Sequence, residues 1–137
     1  MQESDVQRIN TALAEYSATY FGNRVLCLSE KFDLVESWRE NTTFTGAIEK
    51  GCYFIFDEAE TLLYVGKASM GNSIGARVVS HMGWDGTKLS LVKGLPTHTP
   101  RYLRTVSLAC PWEAPSLEEF LICKLHPPVN KAGRIFD

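Results

Sequence analysis

Gly51–Lys67 reads GCYFIFDEAETLLYVGK, and the fold follows from how this stretch is read. Phe54-Ile55-Phe56 is apolar, β-prone sequence. Asp57-Glu58-Ala59-Glu60 interrupts it, and Leu62-Leu63-Tyr64-Val65 resumes it before Gly66. Two β-prone runs separated by a short acidic segment predict a hairpin. Each run carries a tyrosine two places from a glycine: Gly51-x-Tyr53 on the first, Tyr64-x-Gly66 on the second.

Downstream, Ala68 to Ser73 is a small, glycine-containing linker. The residues from Ser73 to Met82 predict a short helix capped by Asn72 or Ser73. Ile74, Val78 and Met82 face inward on it. Arg77 and His81, four apart, share another face. Gly83-Trp84-Asp85-Gly86 is a turn, and Thr87 to Val92 fits a strand or a helix. Gly94 to Pro100 is a loop. Tyr102 to Cys110 alternates as a strand does. Ser116 with Glu119 predicts a capping box and a helix from Leu117 to about Leu125, with Leu117, Leu121 and Leu125 as its apolar seam. Pro127-Pro128 ends it.

Upstream, Ser4 and Gln7 predict another capping box, opening a helix from about Asp5 to Phe21 that stops near Gly22-Asn23. Val25 to Leu28 is too short to classify. Ser29 suits the cap of a second helix running to about Arg39, with Phe32, Val35 and Trp38 on one side. Asn41 to Gly46 is a loop.

The chain of 137 residues is long enough for one domain with a real core. No apolar run reaches the roughly 18–20 residues of a membrane helix, and the N-terminus lacks a signal-peptide pattern. A cytoplasmic protein without membrane contact is expected. Cys27, Cys52, Cys110 and Cys123 lack the short spacing of a zinc knuckle, so reduced thiols are expected. The net charge of −2 hides an uneven distribution. Residues 1–60 carry 5 basic and 11 acidic side chains. Residues 61–112 carry Lys67, Arg77, Lys88, Lys93, Arg101 and Arg104 against Asp85 alone. A basic middle suits a phosphate backbone, although an ordinary solvated face has the same composition. The acidic first third is a poor nucleic-acid surface. It reads better as a packing extension or a surface for a protein partner.

Five positions then align in order: Tyr53, Tyr64, Arg77, Glu118 and Asn130. With Tyr64-Val65-Gly66-Lys67-Ala68 and the string EEFLICKLHPPVN over Glu118–Asn130, residues 50–131 resemble the GIY-YIG nuclease family, its excision-repair members in particular. Cys52 and Val65 stand where the namesake tripeptides have isoleucine. The linker from Tyr64 to Arg77 is a few residues longer than in those members.

The resemblance implies an α+β fold: a small mixed or antiparallel three-stranded sheet flanked by helices over residues 49–137, with residues 1–48 as a helical extension packed on it. It implies an endonuclease hydrolysing DNA phosphodiesters with a single metal ion. The catalytic set it suggests is Tyr53, Tyr64, Lys67, Arg77, His81, Glu118 and Asn130. Glu118 would be the ligand of one Mg²⁺ or Mn²⁺, a hard cation that keeps most of its waters. Arg77 would fork onto non-bridging phosphate oxygens. Water would be the nucleophile. Its base would be Tyr53, if Lys67 and the metal lower that phenol from about 10. His81 is the rival base, because imidazole titrates nearer neutrality. Tyr64 or His81 would position water or phosphate, and Asn130 would orient backbone or Glu118. Lys88, Lys93, Arg101 and Arg104 would contact the DNA. No separate recognition segment is visible in the sequence, so DNA structure rather than base sequence would guide binding. The alternative class is a nucleic-acid-binding or protein-interaction module that keeps the fold without turnover.

Overall fold

The 51–67 stretch folds as the hairpin its pattern predicts. In the computed structural model, which describes residues 3–95 and 97–130, β2 (Gly51–Phe56) pairs antiparallel with β3 (Leu62–Ala68). The preceding β1 (Phe32–Asp33) is considered below. The acidic segment makes the turn: Asp57 Oδ1 accepts from the Thr61 amide, and Glu60 takes a left-handed conformation. Every residue of β2 is buried, which explains its near-continuous apolar run. Cys52, Phe54 and Phe56 face one core, and Tyr53 and Ile55 face another on the opposite side of the sheet.

The fold is α+β, as expected, but the main sheet has four antiparallel strands rather than three, in the order β1-β6-β2-β3. β6 (Tyr102–Ser107) lies along the other side of β2. Gly51 permits the close approach at one end, with φ +146°, where a Cβ would collide with the Val106 carbonyl. β1 supplies the fourth strand by pairing with β6. It comes from the segment expected to be purely helical. Ser29 does not cap a helix. Its amide donates to the Thr105 carbonyl, and its hydroxyl accepts from the Thr105 amide. Asp33 is the cap instead, accepting from the Glu36 amide at the start of α2 (Leu34–Glu40).

α1 (Asp5–Tyr20) has the predicted Ser4–Gln7 capping box. It buries Ile9, Leu13 and Tyr16 in the core shared with Cys52, Phe54, Leu117 and Leu121. Asp5 Oδ2 accepts from the Leu62 amide, and Arg8 donates to the Leu125 carbonyl across almost the whole chain. The N-terminal helix is therefore part of the core. Its acidic neighbours are also engaged: Asp5 pairs with Arg8, Glu15 with Lys124, Asp33 with Arg101, and Glu60 with Lys31. Four of the acidic side chains of residues 1–60 are thus held in ion pairs.

α3 (Ile74–His81) is capped by Ser73 and runs directly into β4 (Met82–Trp84). β4 pairs with β5 (Leu89–Leu91), so the 87–92 segment resolves as a strand. In the 94–100 loop, residue 96 lies outside the described residues. α4 (Ala114–Leu125) begins earlier than expected. A 3₁₀ turn at Pro111–Glu113 leads into it, and Pro115 sits in its first turn, where a missing N–H costs nothing. The Ser116–Glu119 capping box does not form, because the Ser116 hydroxyl bonds the Tyr16 hydroxyl at 2.8 Å. All four cysteines are free thiols. Among the described residues no helix is long and apolar enough to cross a membrane. The tail 131–137, with Lys131 and Arg134, lies outside the described residues.

Candidate active site

β3 forms one edge of the main sheet, with α3 and α4 packed against it. Tyr53 and Gly66 are cross-strand partners. The Tyr53 ring fills the space above Gly66 so closely that any Cβ there would overlap it. This explains why the second tripeptide ends in glycine. Tyr64, two residues earlier on β3, brings its ring to 6.1 Å from that of Tyr53.

α3 delivers the next two groups. Residues 47–49 fix its start, since the Glu49 carbonyl accepts from the Ile74 amide and the Ala47 carbonyl from the Gly75 amide. A Cβ on Gly75 would press against Ala47. The i, i+4 spacing then places Arg77 and His81 together, with Arg77 Nη2 3.1 Å from His81 Nε2. The Tyr64 hydroxyl lies 3.4 Å from the same nitrogen, and the Tyr64 and His81 rings are 5.1 Å apart. A guanidinium only donates. His81 Nε2 therefore accepts, and the ring's own proton is on Nδ1. Burial, then the charges of Arg77 and Lys93, hold the imidazole below its ordinary value.

Glu118, in the second turn of α4, completes the group. Its carboxylate is half-buried and has no salt bridge or hydrogen bond among the described residues. Burial raises its pKa. Lys67 and Arg77 oppose that rise, and Glu119 adds to it. The same carboxylate acts electrostatically on Tyr53 and Tyr64. Tyr53, Tyr64, Lys67, Arg77, His81 and Glu118 thus converge around one edge of the sheet. Half-buried and bonded to nothing described, the Glu118 carboxylate could offer an oxygen to one hard divalent ion, whose charge would offset the burial cost that Lys67 and Arg77 only partly oppose. Water and substrate oxygens would complete its shell. No group of three or more His, Cys, Asp or Glu side chains gathers among the described residues.

The surroundings of Tyr53, the expected base, raise its pKa instead of lowering it. Its side chain is fully buried, and its hydroxyl has no hydrogen-bond partner among the described residues. Burial and then the neighbouring Tyr64 phenol push it far above the ordinary tyrosine value, against the pull of Arg77. Lys67 is not among the groups that act on it.

Asn130 does not point at substrate. It is buried, and its side chain bonds both backbone groups of Val65. Oδ1 accepts from the Val65 amide, and Nδ2 donates to the Val65 carbonyl, each at 2.8 Å. With the Val129 amide on the Leu63 carbonyl, it clamps the outer edge of β3 beside Tyr64 and Gly66. Asn130 is a positioning residue.

Of the four basic residues expected to contact DNA, two are committed elsewhere. Arg101 places Nε and Nη2 on Asp33 Oδ2, at 3.0 and 2.7 Å. Burial lifts the Asp33 carboxyl, but Arg101 and the Glu36 and Val35 amides outweigh that and hold it below the usual carboxylate range. Arg104 donates to the Ser29 carbonyl and lies 3.9 Å from Glu60. Both are structural. Lys88 and Lys93 are exposed, at the β4–β5 turn and just after β5. That hairpin is tied to the site, because the Val92 amide donates to the His81 carbonyl. Sequence reasoning missed the roles of Ala47 and Glu49 in setting α3. No side-chain pattern could have shown them, since both act through backbone carbonyls. Compared with protein-family models, curated proteins and solved structures, the chain matches none.

Proposed function

We propose that the protein is a GIY-YIG-type endonuclease that hydrolyses DNA phosphodiester bonds with one divalent ion. The observation that carries this reading is the approach of Arg77 Nη2 to 3.1 Å and of the Tyr64 hydroxyl to 3.4 Å from His81 Nε2, beside a half-buried carboxylate that nothing described neutralises by contact. Glu118 would hold Mg²⁺ or Mn²⁺, which when bound polarises the phosphoryl oxygen and stabilises the leaving 3′-oxygen.

The chain's own groups do the rest. Arg77 binds non-bridging oxygens with its planar fork, offsetting the charge that builds during attack. Neutral His81 accepts a proton. Tyr64, whose phenol is close to His81 and feels the Glu118 charge, orients the water. Tyr53 stays a protonated phenol whose ring, seated on Gly66, sets the position of Tyr64. Lys67 offsets the Glu118 charge. Lys88 and Lys93 extend the phosphate contacts along the hairpin, and binding there carries the salt dependence of counterion release. Magnesium-dependent nicking of supercoiled plasmid tests the reading, with loss expected in Glu118→Ala and Arg77→Ala. A wild type that binds DNA and cuts no topology supplied would leave the other class, a binding module without turnover.

A further inference from the structure

Two donors converge on His81 Nε2, and they are not equal. Arg77 Nη2 stands at 3.1 Å and the Tyr64 hydroxyl at 3.4 Å. A neutral imidazole nitrogen offers one in-plane lone pair, so the nearer donor holds it. The tyrosine hydroxyl lies just past the usual range. In the protein alone, the best proton acceptor in the cluster is therefore already engaged. The group that engages it is also the one best suited to a phosphodiester, because a guanidinium matches two phosphate oxygens at once. Only side-chain torsions of half-buried Arg77 need change to exchange partners. His81 itself is fixed by α3 and by the Val92 bond to its carbonyl.

The charged and titratable groups around His81 come from every packed element. Tyr53 is on β2, with ring centroids 6.4 Å apart. Tyr64 is on β3, Arg77 on α3, and Lys93 after β5. Glu118 on α4 acts on Tyr64, and Arg77 acts on Glu118. Of these, only Arg77 and Tyr64 reach Nε2.

We propose that Arg77 is a latch on the base: it occupies the His81 lone pair until a substrate phosphodiester draws the guanidinium away, and Nε2 then takes the Tyr64 proton. This deepens the nuclease reading and rests on it for the identity of the phosphate. The protons balance. Water gives one to Tyr64 as its oxygen bonds phosphorus, and Tyr64 gives one to Nε2. The bond to the 3′-oxygen breaks, and that oxygen is protonated from solvent. The imidazolium then returns its proton to solvent as Arg77 swings back. Tyr64 stays neutral throughout, because it gains one proton as it loses another. Arg77 thereby acts both as a phosphate ligand and as a positioning residue for His81.

The latch can be read without cleavage, by nitrogen NMR of the imidazoles in EDTA, with His81 assigned by its loss in His81→Gln. In the free wild type, Nε2 is expected unprotonated and Nδ1 protonated. Arg77→Gln should raise the His81 midpoint by about one pH unit, the size expected for removing a like charge at contact. A short DNA duplex should move the wild-type Nε2 signal the same way, and move Arg77→Gln less. If Arg77→Gln does not fold, Arg77→Lys, which keeps the charge and loses the fork, should still shift Nε2. A proton on Nε2 in the free protein, equal midpoints in wild type and variant, or a bound duplex that leaves Nε2 unmoved each overturns the proposal. A duplex that fails to bind sinks the nuclease reading instead. Inorganic phosphate then decides the latch on the same signals.

Discussion

The Tyr53 ring lies against Gly66, its partner across the β2–β3 ladder, and occupies the volume a side chain would need. Gly66→Ala should therefore displace the ring or part the strands. Overpacking of this kind costs about 1–3 kcal/mol, measurable as a lower urea midpoint. Cutting should fall by more than that loss of fold explains, because Tyr64 moves with the strand. Unchanged stability in Gly66→Ala would contradict the close seat of the ring.

Asn130 is expected to behave as a clamp. Asn130→Ala leaves a buried amide and a buried carbonyl of Val65 without partners, each worth about 1–3 kcal/mol. Hydrogen exchange at the Val65 amide should accelerate selectively. Asn130→Asp sets a buried carboxylate oxygen against the Val65 carbonyl oxygen, so at neutral pH it should cost at least as much as Asn130→Ala. Full activity in a folded Asn130→Ala protein would show that the edge needs no such support.

Glu118 is predicted to cost the protein stability when ionised. Its carboxyl is raised above the usual 4.5 by burial, so between 4.5 and the raised value the folded state binds more protons than the unfolded. Stability from this group is present at low pH and is lost as pH rises through that window. Glu118→Gln removes the loss. Denaturant melts should show the variant at least as stable as wild type at neutral pH, even though cutting is abolished.

His81 gives the opposite slope. Its folded value lies below 6.5, so the unfolded chain binds the extra proton, and stability rises with pH up to 6.5. The acid limb of kcat/KM reports the free enzyme's base and should fall below pH 6.5. Lys93→Ala, which removes one of the charges holding His81 down, should move that limb upward.

The basic residues should divide by role. Lys88→Ala and Lys93→Ala are each expected to reduce the salt slope of DNA binding by about 1. Arg101→Ala should leave that slope unchanged and lower the urea midpoint, because its partner is Asp33. Titrations by fluorescence anisotropy at several salt concentrations separate the two outcomes.

The parts of the fold legible in sequence were those written in local periodicity and chemistry: the hairpin, the Ser4–Gln7 cap, and the Arg77–His81 face of α3. β1 was hidden because it is two residues long, and its partners Tyr102 and Leu103 are far along the chain. The Ser116–Glu119 pattern misled because Pro111 starts the helical path earlier and Tyr16 claims the Ser116 hydroxyl. At the site, the family resemblance, and not residue types or spacing, grouped Tyr53, Tyr64, Arg77, His81 and Glu118. The choice between Tyr53 and His81 as base needed burial, which spacing does not encode. Arg101 and Arg104 looked like phosphate ligands because net charge does not say which cation already has a carboxylate or carbonyl.

The bond from Arg8 to the Leu125 carbonyl, with Tyr16 on Ser116, has a consequence for biosynthesis. α1 is synthesised before β2 and α4, so its stripe of Ile9, Leu13 and Tyr16 gains its cover in two stages, first from Cys52 and Phe54 and later from Leu117 and Leu121. A nascent chain with part of its core still open is prone to chaperone binding and aggregation.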